Sequence, residues 1–459
     1  MNASDRPAPT AVVSTQGRRD SPRVHVNAVG QARRTQLAAA FGNGLEFFDF
    51  TVFSFFSAII GKLFFPIGSE LGGWMLSLAT FGVGFVIRPL GSVVIGAYAD
   101  RVGRKPALLL TVTMMAIGTG MIGLAPPYAA IGWAAPLLIV CGRLLQGFAA
   151  GGEVGAATSF LMESASAGKR GAAVSWQMTS QGGAALAGAV IAGIVTRVLP
   201  ADALLAWGWR LPFLIGLACG PVGFYLRRHL HDTLAASTVH APHADEQPRT
   251  KPQDPTPRHR LSVRLIAAGT MLVIGGTSTM YTMVFFLPSF LVVSLHMAPA
   301  LSLMAGCAAG LVLLLGSPFA GRLADRTPRR KSLFYRLSIV SLLVAWPAFY
   351  LLCHAPSLGI VVAVVIVLVG LMTLSSPAGF VLILESLPIE RRATSLGIIY
   401  AFGVTLFGGF AQLIVGALYR WSQSFYAPVW YMLGCGVVSV IGLALYPESP
   451  RRAPSVPSH

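Results

Sequence analysis

Twelve stretches of this chain are apolar enough and long enough to cross a lipid bilayer. A membrane-spanning helix needs about 20 mostly apolar residues. Such windows fall at roughly 36–60, 71–98, 106–125, 132–160, 172–196, 209–227, 263–291, 299–321, 333–353, 357–384, 394–419 and 426–446. Composition agrees: 54% of residues are hydrophobic and 11% charged, less than half the charged share usual in soluble domains. The expected fold class is an all-α membrane protein with twelve transmembrane helices.

The charges sort by position. The formal net charge is +17, a balance that in a soluble chain points to nucleic acid. With the first span starting inside, the N-terminal tail, the even-to-odd loops and the C-terminus hold 28 of the 34 Lys and Arg. That is the positive-inside pattern. It places both termini in the cytoplasm and makes the basic residues orientation signals, so no nucleic-acid partner is expected. Residues 1–35 carry six arginines and no apolar core, which excludes a secretory leader and reads as a disordered cytoplasmic tail. The five cysteines sit singly in or near apolar runs, so no disulfide framework is expected. Residues 228–262 are rich in Pro, Arg and His and hold five of the nine histidines at irregular spacing. They read as a solvated linker, with no metal or cofactor site.

The two groups of six spans echo each other. "GAYADRVGRKPAL" follows the second span and "GRLADRTPRRKSL" the eighth, with Asp100 and Asp325 225 residues apart. "ESASAGKRG" begins at Glu163 after the fourth span, and "ESLPIERRA" at Glu385 after the tenth, 222 residues on. Two landmarks at nearly one spacing mark an internal duplication. Such repeats typify one large transporter class, with the substrate site near mid-membrane between the halves. The expected layout is a tail (1–35), an N-terminal bundle (36–227), a linker (228–262), a C-terminal bundle (263–447) and a tail (448–459).

"GxxxDRxGRK" resembles the signature loop of the major facilitator superfamily, matched at Gly96, Asp100, Arg101, Gly103, Arg104 and Lys105; the second copy departs, with Pro328 at the glycine position. "RLLQG" at 143–147 resembles that superfamily's fourth-helix motif. "GNGLEFFDF", "RPLG", "GRLLQGFAAGGEVG" and "WGWRLPF" look like the metabolite:proton symporters, with the citrate/tricarballylate branch nearest. The common form of the first motif has Trp-Tyr between its acids; this chain has Phe47 and Phe48. The resemblance covers 36–447. It implies proton-driven import of a di- or tricarboxylate across a bacterial inner membrane, by a functional monomer that is not an enzyme. Alpha-ketoglutarate, shikimate or another aromatic acid, betaine, and an exporter remain alternatives.

Five charges stand away from the ends of the spans: Glu46, Asp49, Arg88, Arg143 and Glu153. A charge at bilayer centre costs several kcal/mol, so it faces a cavity, finds a partner or loses its charge. Glu46 and Asp49, three apart, share a helical face, and two close carboxylates in low dielectric repel until one takes a proton. The resemblance implies that Asp49 pairs with Arg143 and that protonation breaks the pair. Arg88, before Pro89, either grips a substrate carboxylate with two hydrogen bonds or pairs with Glu46. Asn43, Gln177, Gln181, Thr277 and Tyr281 are candidate substrate contacts or interhelical hydrogen bonds. Asp49, Arg143, Glu46 and Glu153 are the proton-coupling candidates. Asp100, Arg101, Arg104, Asp325, Glu163 and Arg170 form the expected cytoplasmic gate, with Asp100 capping a helix N-terminus or pairing with Arg104.

Overall fold

The structure, a computed structural model, describes residues 43–65, 70–166, 168–228, 263–295, 297, 299–388 and 391–447. The expected tails and almost all of the linker lie outside these residues. In hydrocarbon every backbone polar group must be bonded within the chain, and the apolar windows fold accordingly into helices. They are α1 (Asn43–Phe55 with Ser57–Phe64), α2 (Met75–Val102), α3 (Lys105–Gly123), α4 (Ala134–Glu163), α5 (Arg170–Val198), α6 (Ala201–Tyr225), α7 (Val263–Val292), α8 (Ser302–Arg326), α9 (Arg330–His354), α10 (Leu358–Ser386), α11 (Arg392–Ser422) and α12 (Ala427–Leu445). The twelve-span expectation holds, with one refinement: α1 bends by 68° near Phe56. At the matching place in the second half, α7 turns π-helical over Tyr281–Phe286, 225 residues after Phe56.

Burial separates a central ring from an outer one. Of the spanning window of α7, 72% is buried; of α9, 22%. Side chains such as Leu315 and Leu343 are left exposed, as a helix surface in contact with lipid tails requires. Glycines bring α2 and α4 together. A Cβ added at Gly147 would stand 1.6 Å from the Gly84 carbonyl oxygen, and one at Gly151 2.2 Å from that of Arg88. The "GFAAGG" run therefore sets how deeply Arg88 sits against α4. Between the halves, Gly182 of α5 lets Leu314 of α8 approach in the same way.

The basic end of the bundle is latched by two related sets of bonds. The Asp325 carboxylate accepts the backbone N–H of Gly171 (2.7 Å) and Ala172 (2.9 Å), in the first turn of α5. Glu385 accepts from Arg170 at 2.9 Å and Arg330 at 2.8 Å. In the other set, Asp100 accepts the hydroxyl of Thr394 in the first turn of α11, and Glu163 lies 3.6 Å from Arg392. Each set joins one half to the other.

The second-copy Asp325 takes the helix N-terminal amides, because α5 starts with Gly171 and Ala172 close beneath it. Asp100 also faces a helix start, where it meets the Thr394 hydroxyl in the first turn of α11. Arg101 is exposed and joins none of these bonds. The side chain of Arg104 lies outside the described residues.

Deeper in the bundle the halves meet through aromatic rings. Phe50, Phe81 and Phe85 of the first half interlock with Tyr281 and Phe285 of the second, at centroid distances of 5.2–6.0 Å. Ser54 donates to the Phe285 carbonyl at 2.6 Å, and Thr405 to that of Phe85 at 2.8 Å.

Candidate functional site

Glu46 and Asp49 are both fully buried, one turn apart on α1. The structure does not let them share a proton as a pair, because each turns to a different neighbour. Glu46 accepts from Arg88 of α2 in a buried ion pair. Asp49 accepts the hydroxyl of Thr119 on α3 and the side-chain amide of Gln146 on α4, the latter at 2.9 Å.

Arg88 begins a new helical segment, since α2 is interrupted at Ile87 and Pro89 occupies the first turn. Its guanidinium lies 4.0 Å above the Phe85 ring and 5.2 Å from that of Phe50. Cation–π attraction of this kind is worth about 0.5–2 kcal/mol. Glu153 is buried on α4 and within electrostatic reach of Glu46.

Arg143 and Asp49 lie within electrostatic reach of each other but do not form the direct ion pair that was expected. Arg143 hydrogen-bonds Gln146 at 2.9 Å and lies 3.7 Å over the Phe53 ring. The reason is register: Arg143 stands one turn earlier on α4 than Gln146, and the Gln146 amide fills the gap between it and Asp49. Gln146 belongs to the "RLLQG" motif, where its i, i+3 spacing from Arg143 was a readable signal. Thr119 carried no signal of its own in "AIGTGMIG".

An open pocket lies across α5, α7, α10 and α11, beside this cluster; its empty space, open solvent included, is about 560 Å³. Its polar lining includes Gln181, Thr277, Tyr281, Ser375 and Tyr400, and none of its lining residues is charged. Arg88 stands behind this wall rather than in it. Tyr281 and Tyr400 connect the two, since both lie within electrostatic reach of Arg88 and Glu46. The Tyr281 hydroxyl is buried and forms no hydrogen bond of normal geometry. Tyr400 had no place in the sequence expectation; it is a lone tyrosine in the apolar "GIIYAFG".

Asn43 and Gln177, candidates for substrate contact or for interhelical bonding, join α1 to α5. The Asn43 amide donates to the Gln177 carbonyl at 2.9 Å and to Ser180 at 2.8 Å, and accepts from Gln177 at 2.8 Å. Neither lines the cavity. Gln181 does, while its amide stays 3.4 Å from Asn43. The helical face puts residues four apart in line, but only Gln181 lies level with the open space.

The bundle, its two latched repeats and its buried charges can be set beside known proteins. The sequence pattern described as Major Facilitator Superfamily matches residues 39–345 and 300–459. The chain belongs to the Major Facilitator Superfamily. It is 34% identical over 436 residues to the citrate-proton symporter of Klebsiella pneumoniae, covering 92% of this chain and 94% of that one. It is 33% identical over 430 residues to the glycine betaine/proline/ectoine/pipecolic acid transporter OusA of Dickeya dadantii (strain 3937), covering 90% and 82%. Among solved structures, the proton:xylose symporter XylE bound to 6-bromo-6-deoxy-D-glucose superimposes with a TM-score of 0.76 at 17% identity, over 92% of this chain and 97% of that one. This last likeness shows the fold. As a member of the superfamily the chain is a multi-pass membrane protein.

Proposed function

We propose that this chain is a proton-coupled symporter that imports an organic acid, citrate or a related di- or tricarboxylate, by alternating access. The observation that carries the reading is the buried Arg88–Glu46 pair behind a neutral cavity. A guanidinium matches a carboxylate with two parallel hydrogen bonds, and a bare carboxylate is too costly to bury without such a partner. In the resting protein Glu46 occupies Arg88. The substrate carboxylate displaces it, passing between Tyr281 and Tyr400, with Gln181 and Thr277 meeting its polar groups. Asp49 is the proton site, with Gln146 and Arg143 beside it. Glu46 and Glu153 supply further sites.

Charge arithmetic favours more than one proton. Each negative charge carried inward works against the membrane potential, about 2.3 kcal/mol per 100 mV. A trianion therefore enters with at least three protons, or already partly protonated. The latched basic end is cytoplasmic, with both termini on that side of a bacterial inner membrane, and the monomer is the working unit. The buried charges serve binding and coupling rather than bond-breaking.

A second substrate class has its own support. Tyr281, Tyr400 and Phe380 give the cavity aromatic faces, which attract a quaternary ammonium while Arg88 takes the carboxylate of a zwitterion. Uptake of labelled citrate into proteoliposomes, driven by an imposed inward proton gradient, tests the reading with alpha-ketoglutarate and glycine betaine as competitors. Gradient-driven citrate uptake, blocked by the dicarboxylate and not by betaine, is the expected result. Uptake of betaine alone would replace the acid with the zwitterion.

A further inference from the structure

The two charged groups expected to form the proton switch are not in contact; a neutral amide joins them. Gln146 is wholly buried, and both ends of its amide are committed. Its Oε1 accepts from Arg143 Nη1 at 2.9 Å. Its Nε2 donates to Asp49 Oδ2 at 2.9 Å and to Thr119 Oγ1 at 3.0 Å. This orientation is forced, because a guanidinium can only donate and an ionised carboxylate can only accept. The amide therefore reads the charge on either side.

The surroundings leave Arg143 little else. Its Nε and Nη2 are buried without hydrogen-bond partners, and its flat face rests on Phe53. Asp49 has one oxygen engaged twice and the other, Oδ1, buried without a hydrogen-bond partner. A proton arriving at Oδ1 breaks no existing bond. Packing also fixes the amide's stem: a Cβ added to Gly118 of α3 would lie 2.6 Å from Gln146 Cγ. The groups that face Asp49 are Arg143 from α4, Cys219 from α6, the Thr119 hydroxyl from α3 and Glu46 on its own helix.

We propose that Gln146 is a positioning residue that carries the charge state of Asp49 to Arg143, so that proton binding on α1 loosens α4 through a hydrogen-bonded amide instead of a broken ion pair. The inference rests on the reading of Asp49 as the proton site. With Asp49 ionised, the bond from Gln146 is charge-assisted and about twice as strong as a neutral one. With Asp49 protonated, that bond weakens, Arg143 loses its relayed counter-charge, and α4 is free to move against α1.

The test compares proton entry with substrate entry in proteoliposomes carrying the full chain. Labelled citrate is the probe, with labelled alpha-ketoglutarate run in parallel. Exchange of substrate at equal pH on both sides is measured on the same vesicles. In Gln146→Leu the ratio of protons to substrate falls at least threefold below wild type, while exchange falls by less than threefold. Gln146→Met, close in volume, gives the same split and guards against misfolding. Gln146→Glu places a carboxylate against Arg143, and both gradient-driven uptake and exchange fall at least tenfold. Asp49→Asn is the reference. Loss of the ratio in Asp49→Asn with a wild-type ratio in Gln146→Leu and Gln146→Met overturns the relay and leaves Asp49 as the proton site. An unchanged ratio in Asp49→Asn overturns the underlying reading as well. Equal losses of ratio and exchange in the two apolar variants reduce Gln146 to packing and also overturn the relay.

Discussion

The two halves of the bundle share a repeat and divide the labour. The N-terminal half holds all the buried spanning charges named above, Glu46, Asp49, Arg88, Arg143 and Glu153, on α1, α2 and α4. The C-terminal half supplies most of an uncharged cavity wall from α7, α10 and α11. Duplication preserved the latches at the basic end in both halves, Asp100 with Glu163 and Asp325 with Glu385. It did not preserve the charges at mid-membrane. The lesson is that a buried charge is kept only where it has a task, since each costs several kcal/mol to hold there. The half without that task provides shape and hydroxyl groups.

The sharpest way to break this comparison is to remove Arg88. Arg88→Ala strands Glu46 in a dry site, and losing one partner of a buried pair costs about 3–5 kcal/mol. Citrate uptake falls at least a hundredfold. The double variant Glu46→Gln with Arg88→Met restores expression and thermal stability without restoring uptake. Recovery of uptake in that double variant would make the pair a structural clamp.

Next comes coupling. Asp49→Asn abolishes accumulation against a gradient, a loss of at least tenfold in the steady-state level, whereas substrate exchange persists. Parallel accumulation and exchange assays read this directly.

The two latches should then differ. Asp325 bonds two backbone N–H groups at a helix start, where the helix dipole adds to the bond, while Asp100 bonds the Thr394 hydroxyl. Hydrogen exchange at residues 170–175 rises more in Asp325→Asn than exchange at 392–397 rises in Asp100→Asn. Equal rises would mean that the latches are interchangeable.

The smallest effect belongs to the neutral wall. Tyr281→Phe and Tyr400→Phe each remove one hydroxyl that the proposed reading sets against the substrate, and a neutral hydrogen bond of that kind is worth about 0.5–1.5 kcal/mol. The concentration for half-maximal uptake rises about two- to tenfold in each. A hundredfold rise would move the anion grip from Arg88 to the C-terminal half.

Most of the fold was legible in the sequence, because bilayer thickness fixes span length and hydropathy marks it without ambiguity. The repeat was legible from Asp100, Asp325, Glu163 and Glu385, since short charged loops stand out between apolar runs. The buried charges were visible for the same reason. Their partners were less so. Glu46 with Arg88 was one of two stated options. Asp49 with Arg143 failed by one helical turn, a shift that depends on helix tilt and on the α2–α4 approach at Gly147. Asn43 and Gln177 were left open between substrate contact and interhelical bonding because helical spacing gives a face but not a depth. Thr119 and Tyr400 were missed because a single hydroxyl in an apolar helix looks the same whether it lines a cavity or bonds its own backbone, as Thr113 does. The bend in α1 and the π-helical turn in α7 left no proline or glycine at Phe56 or Tyr281 to announce them.

One measurement addresses the division of labour itself. Uptake of labelled citrate is followed with and without an inward proton gradient in wild type, in Asp49→Asn, and in a Thr277→Ala, Tyr281→Phe, Tyr400→Phe triple variant. The account predicts that the triple variant needs more citrate yet keeps its dependence on the gradient, and that Asp49→Asn loses that dependence at any citrate concentration. A triple variant that loses gradient dependence, together with an Asp49→Asn variant that keeps it, would place the coupling in the C-terminal half and contradict the account.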